Sequence, residues 1–234
     1  MTVLTGAGIS AASGVPTFRG AGGLWRTFRA EDLATPAAFR RDPKLVWEWY
    51  DWRRTLIAAC RPNAAHDVLA RWSHRLAAGA LTLITQNVDG LHELAGTRDL
   101  VRFHGSIWEL RCAQACGGAP PAWEDRSAPL ATLPPSCRHC RGLARPNVVW
   151  FGESIDQAVL LRCQQALDCD VFLSIGTSAI VYPAAGLVFG AKARGAHTIE
   201  INPMATEASS MVEVAIAQPA EIALPAIDAL LRTP

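Results

Sequence analysis

Between Leu81 and Gly105 the chain reads LTLITQNVDGLHELAGTRDLVRFHG, gathering the amides of Gln86 and Asn87, the carboxylate of Asp89 and the imidazole of His104. An imidazole with an ordinary pKa of about 6.5 can give or take a proton near neutrality. Gly105 behind it permits close approach of backbone or ligand. A second set is sulfur: Cys112-x3-Cys116, a gap of twenty residues, then Cys137-x2-Cys140. Two close pairs in a Pro- and Gly-rich segment that cannot bury a core predict a tetrahedral thiolate zinc site, with His139 as a competing ligand. Cys60, Cys163 and Cys169 lie in apolar or helical surroundings and read as small core residues. A third set is Tyr50 and Arg53, three apart and so on one helix face. They are either a phenol and guanidinium that grip an anion, or a solvated face whose tyrosine caps the core.

These groups need elements to position them. Leu81 to Thr85 is a short apolar, β-branched run that fits a buried parallel strand, and it breaks into turn-favouring residues. Polar side chains then stand at a strand's carboxyl end, where ligands bind in open α/β sheets. Leu100 and Val101 lead in the same way to Phe103 and His104. Met1 to Thr5 is a strand fragment followed by Gly6-Ala7-Gly8-Ile9-Ser10, a turn that either admits a pyrophosphate to a following helix or carries no ligand. Residues 24–74 are helical in texture and rich in tryptophan and arginine. In the last third, Asn147 to Phe151 reads as a strand closed by Gly152 and Glu153, and Ile155 to Leu167 as a helix. Val171 to Ile175 is a strand ending in Gly176-Thr177-Ser178. A helix over Ala184 to Arg194 precedes a strand, Thr198 to Ile201, with Asn202 at its end. Strands that repeatedly close on small polar residues point to a dinucleotide crevice, because burying such groups unpaired is costly.

The 234 residues suffice for one large core with inserted smaller lobes. A net charge of +1 excludes a general nucleic-acid or membrane-surface binder. The apolar amino terminus has no cation before Arg19, so the charged region of a secretory signal is missing. Val171 to Ala191 is apolar but broken by Ser174, Gly176, Ser178, Pro183 and Gly186, which does not suit a membrane span. A cytoplasmic protein is expected.

The ordered blocks GAGIS at Gly6, GVPTFRG at Gly14, TQNVDGLH at Thr85, FHG at Phe103, the paired cysteines, VVWFGE at Val148, GTS at Gly176 and IN at Ile201 resemble the sirtuins, NAD-dependent protein-lysine deacylases. DLATP at Asp32 and the Tyr50/Arg53 pair resemble the class III branch and favour the anion-gripping role. The resemblance implies a single catalytic domain over 1–234. Its Rossmann-like, parallel-sheet α/β large domain would comprise 1–23, 76–110 and 146–234. A smaller lobe would combine a helical insertion, 24–75, with a zinc module, 111–145. NAD would be held by Gly6, Ala7, Gly8, Ile9, Ser10, Thr17, Phe18, Arg19 and Trp25, with Gln86, Asn87, Val88 and Asp89. Gly176, Thr177, Ser178, Asn202, Pro203, Met204 and Ala220 would complete that site, Ala220 in a loop on the adenine side. His104 would be the general base, while Asn87 and Asp89 order the nicotinamide end. Val148, Val149, Trp150, Phe151 and Gly152 would pair with the substrate backbone as an added strand. One structural zinc would sit on Cys112, Cys116, Cys137 and Cys140.

The implied products are nicotinamide, free lysine and 2′-O-acyl-ADP-ribose. Tyr50 and Arg53 would prefer a carboxylate-ended acyl group, succinyl, malonyl or glutaryl, over acetyl, in a pocket kept open by Ala30 and Ala34. The partners are acyl-lysine proteins or peptides, not nucleic acid or membrane, and the chain would be a monomer or weak oligomer. Asn147 stands where that branch often has histidine, with little consequence expected. Family members usually carry residues ahead of GAGIS, so either the start lies upstream or the first strand is short. Two rivals are an ADP-ribosyltransferase on the same fold and a non-catalytic NAD-sensing module.

Overall fold

Short β-branched runs alternate with amphipathic helices, and in the computed structural model, which describes residues 1–16, 24–25 and 28–232, they alternate as strand and helix. Strand β1 (Thr2–Thr5) is followed by a 3₁₀ helix (Ala7–Ser13). A two-stranded hairpin, β2 (Leu24–Trp25) and β3 (Phe28–Arg29), opens the insertion that reads as helical in texture from the sequence. Four helices follow: α1 (Ala30–Leu33), α2 (Pro36–Arg41), α3 (Pro43–Ala58) and α4 (Ala64–Arg75). Proline begins α2 and α3, and the side chains of Thr35, Asp42 and Asn63 cap α2, α3 and α4, each accepting from a backbone N–H of the first turn.

After β4 (Thr82–Thr85), α5 (Leu91–Leu94) and β5 (Leu100–Arg102), the chain makes a separate antiparallel sheet from β6 (Gly105–Cys112), β7 (Ala122–Glu124) and β8 (Ala144–Val148). It then returns through α6 (Gln157–Ala166), β9 (Val171–Ile175), α7 (Gly186–Ala193) and β10 (His197–Ile201). The last two elements, β11 (Val214–Ile216) and α8 (Ala220–Leu230), have no counterpart among the sequence-based expectations. The four residues of β1 are all buried and pair with strands on both sides, so its shortness does not leave it exposed.

The large sheet is six-stranded and parallel, in the order β11-β10-β9-β1-β4-β5. The chain winds outward from β1 through β4 to β5, then restarts on its other side with β9, so β1 flanks the point where the winding reverses. That Rossmann-like topology opens a crevice at the strands' carboxyl ends. Apolar clusters cover both faces, one around Val3, Leu69, Leu83 and Leu224, the other around Leu4, Ile84, Phe172 and Val188. A third cluster packs α1 to α3 against the antiparallel sheet through Leu33, Trp47, Tyr50, Ile107, Trp108 and Trp150. No helix among the described residues is long and apolar enough to cross a membrane.

Candidate active site

The crevice is built by turns that leave β1, β4, β9 and β10 at the same end. Gly6 N–H donates to the Ile175 carbonyl (3.0 Å) and Gly8 N–H to that of Gly176 (2.8 Å), which knits the first glycine turn to the GTS turn. Gly176 has φ +60° and lies so close that a Cβ there would be 2.4 Å from the Ile9 nitrogen. Only glycine fits, because any side chain would drive the two turns apart. Asn202 Nδ2 donates to the Thr177 carbonyl (2.9 Å) and Gln86 Nε2 to Thr177 Oγ1 (3.1 Å), so four strand ends share one hydrogen-bonded rim. Such a cradle of backbone with little side chain fits a dinucleotide. The expected helix after GAGIS is instead a seven-residue 3₁₀ helix whose Gly8 N–H is already committed, so the open row of N–H groups assumed from the sequence does not form there.

Deeper in the crevice, Asn87 and Asp89 are both buried. Asn87 Nδ2 donates to the Gly6 carbonyl (3.0 Å) and to Ser10 Oγ (3.2 Å), and Ser10 passes its own proton toward Asp89 Oδ2 (2.8 Å). Asp89 Oδ1 accepts from Leu91 N–H (2.9 Å). Burial raises the Asp89 pKa, while Leu91, Ser10 and Arg53 offset part of that rise. Behind Ser10 sits His66, whose Nδ1 accepts from the Asn63 backbone, leaving Nε2 to donate to Ser10 Oγ (3.4 Å). Burial holds His66 down to about 4, so the ring is neutral. His66 also packs against His92, ring centroids 4.8 Å apart, and His92 Nε2 reaches Thr5 Oγ1 (3.0 Å). Neither of these buried histidines was legible as a site residue, although Asn63 and His66 carry the spacing of a capping box.

His104 is half-buried at the end of β5. Its Nδ1 lies 3.1 Å from the Gln86 carbonyl, which can only accept, so that nitrogen carries the proton and Nε2 keeps its lone pair. Burial lowers the ring's pKa and the Gln86 bond opposes it, so the neutral, basic form dominates at neutral pH. Gly105 beside it has φ +80°, and a Cβ there would stand 2.1 Å from the Asn147 carbonyl, so glycine is required where the histidine strand meets β8.

Ala30, Ala34, Tyr50 and Trp150 are buried together in the apolar cluster under the antiparallel sheet, and half-buried Arg53 lies over the Trp49 ring (5.1 Å). Trp150 Nε1 donates to Tyr50 Oη (2.8 Å), which leaves the tyrosine's own proton for another acceptor. Burial pushes the Tyr50 phenol up to about 12, so it stays a donor. Burial lowers the Arg53 pKa, with Tyr50 and Asp89 pulling it back.

The strand expected over Asn147 to Phe151 needs correction. Regular pairing ends at Val148, and Val149 to Gly152 form a turn, not a strand. The N–H groups of this stretch are spent locally: Val149 on the His104 carbonyl (3.0 Å), Trp150 on Glu153 Oε2 (2.9 Å) and Phe151 on the Ala34 carbonyl (2.9 Å). Arg145 closes the turn, meeting Glu153 through two bonds (2.6 and 2.9 Å), donating to the Val148 carbonyl (3.0 Å) and lying 3.4 Å over the Trp150 ring. Arg145 carried no local signal, and Glu153 was read only as closing the strand. Ala220 is likewise not in a loop: it is the first residue of α8 and is buried. Ser178 is half-buried, whereas Pro203 and Met204 are exposed beyond Asn202. Thr17, Phe18 and Arg19 and the side chain of Trp25 lie outside the described residues.

The four paired cysteines converge: Cys112, Cys116, Cys137 and Cys140 have their Sγ atoms all within 4.8 Å of one another. Two of the separations are 3.7 Å (Cys112 to Cys140) and 3.9 Å (Cys116 to Cys137). Tetrahedral bonds of about 2.3 Å require sulfurs roughly 3.8 Å apart, so the set fits one zinc ion despite the wider first spacing. His139 stands outside it and donates to the Pro120 carbonyl (3.3 Å).

The Sir2 family model matches residues 6–183. The chain is 47% identical over 233 residues to an NAD-dependent protein deacylase of Aquifex aeolicus (strain VF5), covering 99% of this chain and 95% of the relative. It is 51% identical over 202 residues to NAD-dependent protein deacylase 2 of Pyrobaculum aerophilum, covering 86% and 78%. Among solved structures it superposes on a Sir2 homologue in complex with NAD at a TM-score of 0.90 and 42% identity, covering 99% of this chain and 88% of that one.

Proposed function

This chain belongs to the Sir2 family, and from that premise we propose that it is an NAD-dependent protein-lysine deacylase with a preference for acyl groups that end in a carboxylate. NAD would be held by the knitted turns of Gly6 to Ser10, Gln86 to Asp89, Gly176 to Ser178 and Asn202. Bound there, it supplies an electrophilic anomeric carbon and a nicotinamide leaving group. Asn87 and Asp89, fixed through Ser10, would order the nicotinamide end. His104 Nε2 would take a proton from a ribose hydroxyl, which frees that oxygen to capture the acyl group. The observation that carries this assignment is the Gln86 bond to His104 Nδ1, which leaves Nε2 as the basic atom.

The acyl-lysine peptide would enter between the Val148 to Gly152 turn and the crevice, with its acyl chain in the pocket of Ala30, Ala34, Tyr50 and Arg53. A neutral acetyl group offers a desolvated guanidinium nothing, whereas a succinyl, malonyl or glutaryl carboxylate can accept from both Arg53 and Tyr50. Such a charge-assisted contact contributes about 1.5–3 kcal/mol, roughly ten- to a hundredfold in selectivity. On the same basis the large parallel sheet forms one domain, and the helical insertion and zinc module together form a smaller lobe.

The test is a panel of acyl-lysine peptides turned over with NAD and read by mass spectrometry, in wild type and Arg53→Met. Wild type is expected to favour succinyl over acetyl peptide, and the variant to lose that preference about tenfold or more. A succinyl-to-acetyl ratio that stays the same in the variant would refute the anion grip.

A further inference from the structure

Three consecutive residues of the reactive loop are met by one strand of the other sheet. Ile107 N–H donates to the Val88 carbonyl (3.0 Å), Trp108 Nε1 donates to the Asp89 carbonyl (2.6 Å), and a Cβ at Gly90 would stand 2.9 Å from the Trp108 ring. Trp108 is buried, and two guanidiniums lie over its indole, Arg54 at 5.2 Å and Arg126 at 5.7 Å from the centroid. Arg54 is itself fully buried and donates to the carbonyls of Ile107 (2.8 Å), Asp125 (2.6 Å) and Ser127 (2.9 Å). The Trp108 carbonyl accepts from Asp125 N–H (2.9 Å), so both ends of the residue are fixed. The strand that carries it ends in the zinc-site residue Cys112.

An indole offers one N–H and no acceptor, and here that donor is spent on the backbone of the residue whose carboxylate faces Ser10. Cations over an aromatic face are attracted to it, and in a dry site they also polarise the N–H that points away. We propose that Trp108 is a positioning residue for the reaction: it pins the Asn87 to Leu91 loop to the zinc-bearing sheet and so sets the place of the Asp89 carboxylate. The assignment rests on Asp89 ordering the nicotinamide end, as proposed above. It makes the geometry of the nicotinamide pocket depend on the antiparallel sheet through one side-chain hydrogen bond.

Trp108→Phe keeps most of the ring and deletes the donor. In the full-length protein it is expected to speed amide exchange at Asn87 and Leu91, whose N–H groups donate to Thr85 Oγ1 and Asp89 Oδ1, by about fivefold or more. The nicotinamide inhibition constant should rise by a similar factor, with the KM for acyl peptide within about twofold and one zinc retained per chain. Leu110→Ala, at a buried position farther along the strand that pairs with Trp123 and Pro146, controls for general loosening. It should lower Tm without moving either readout, and if it moves both as far as Trp108→Phe does, the proposal falls. Arg126→Ala removes the more exposed of the two guanidiniums and carries the same exchange test, about twofold in the same direction, should Trp108→Phe fail to fold. Unchanged exchange in every variant that folds overturns the proposal. If the wild type shows no NAD-dependent deacylation, it is the placement of NAD that fails, and amide exchange still decides the role of Trp108.

Discussion

The two sheets of this molecule are stabilised by different physics. The parallel sheet is covered on both faces by aliphatic and aromatic side chains, and its central strand is wholly buried. Its stability is spread over many small contributions from apolar area removed from water. The antiparallel sheet has three strands, a register shift between Ser106 and Leu110, four cysteines at one end and a fully buried arginine underneath. An apolar cluster packs under it as well, but to that are added a few strong polar interactions, each of which stabilises only while all its partners are present. The comparison teaches that the sheet bearing the crevice is robust, while the one supporting the Tyr50 cluster and the Asn87 to Leu91 loop is conditional.

Removing zinc with a chelator is the largest expected break in that contrast. Trp108 and Trp123 both lie on the conditional sheet. Near-ultraviolet circular dichroism should therefore collapse there while most far-ultraviolet signal from the parallel sheet and its helices persists. Simultaneous loss of both signals would show that the two sheets unfold as one unit. Arg54→Met comes next. It strips donors from the Ile107, Asp125 and Ser127 carbonyls and leaves the partly exposed Asp125 carboxylate without its cation. The cost should be about 3 kcal/mol, near the low end for breaking a buried pair, and at this size a Tm drop of roughly 6–12 °C. A shift below about 2 °C would mean that apolar packing alone holds this sheet.

The smallest effect belongs to the robust side. Asp228 on α8 accepts from Trp72 Nε1 (2.8 Å) and Arg71 (2.9 Å) and also meets Arg75 and Arg232, which fastens the last helix to α4. Burial works to raise its pKa, but the bonds from Arg71, Arg232 and Trp72 outweigh it and hold the carboxyl well below its usual range. A depressed folded pKa contributes stability above the unfolded value of about 3.9, and that stability is lost as pH falls through the folded value. The Tm gap between wild type and Asp228→Asn should therefore be widest near neutrality and narrow below about pH 4. A gap of constant width in acid would assign the role of Asp228 to packing.

Much of the crevice was legible along the chain. The β-branched runs at Thr82 and Val171 and the turn residues after them are local signals, and β4 and β9 formed where they pointed. The four cysteines declared themselves by spacing. The stretch from Val149 to Gly152 misled because it is apolar enough for a strand, yet the bonds of Trp150 and Phe151 to Glu153 and Ala34 bend it into a turn. Helix α8 was missed because Pro225 lies inside it.

By itself the sequence determined which segments become the crevice strands β1, β4, β5, β9 and β10, and which amides, hydroxyls and imidazole follow their ends. Those properties depend on a few neighbouring residues and on turn chemistry, which any window of the chain displays. Only the tertiary structure decided that His66 supports Ser10 from 56 residues away, that Trp108 reaches back to Asp89, and that Tyr50 is met by Trp150 across 100 positions. A buried donor takes whatever acceptor the packing of distant segments brings within about 3 Å, and nothing in its own neighbourhood specifies which one that is.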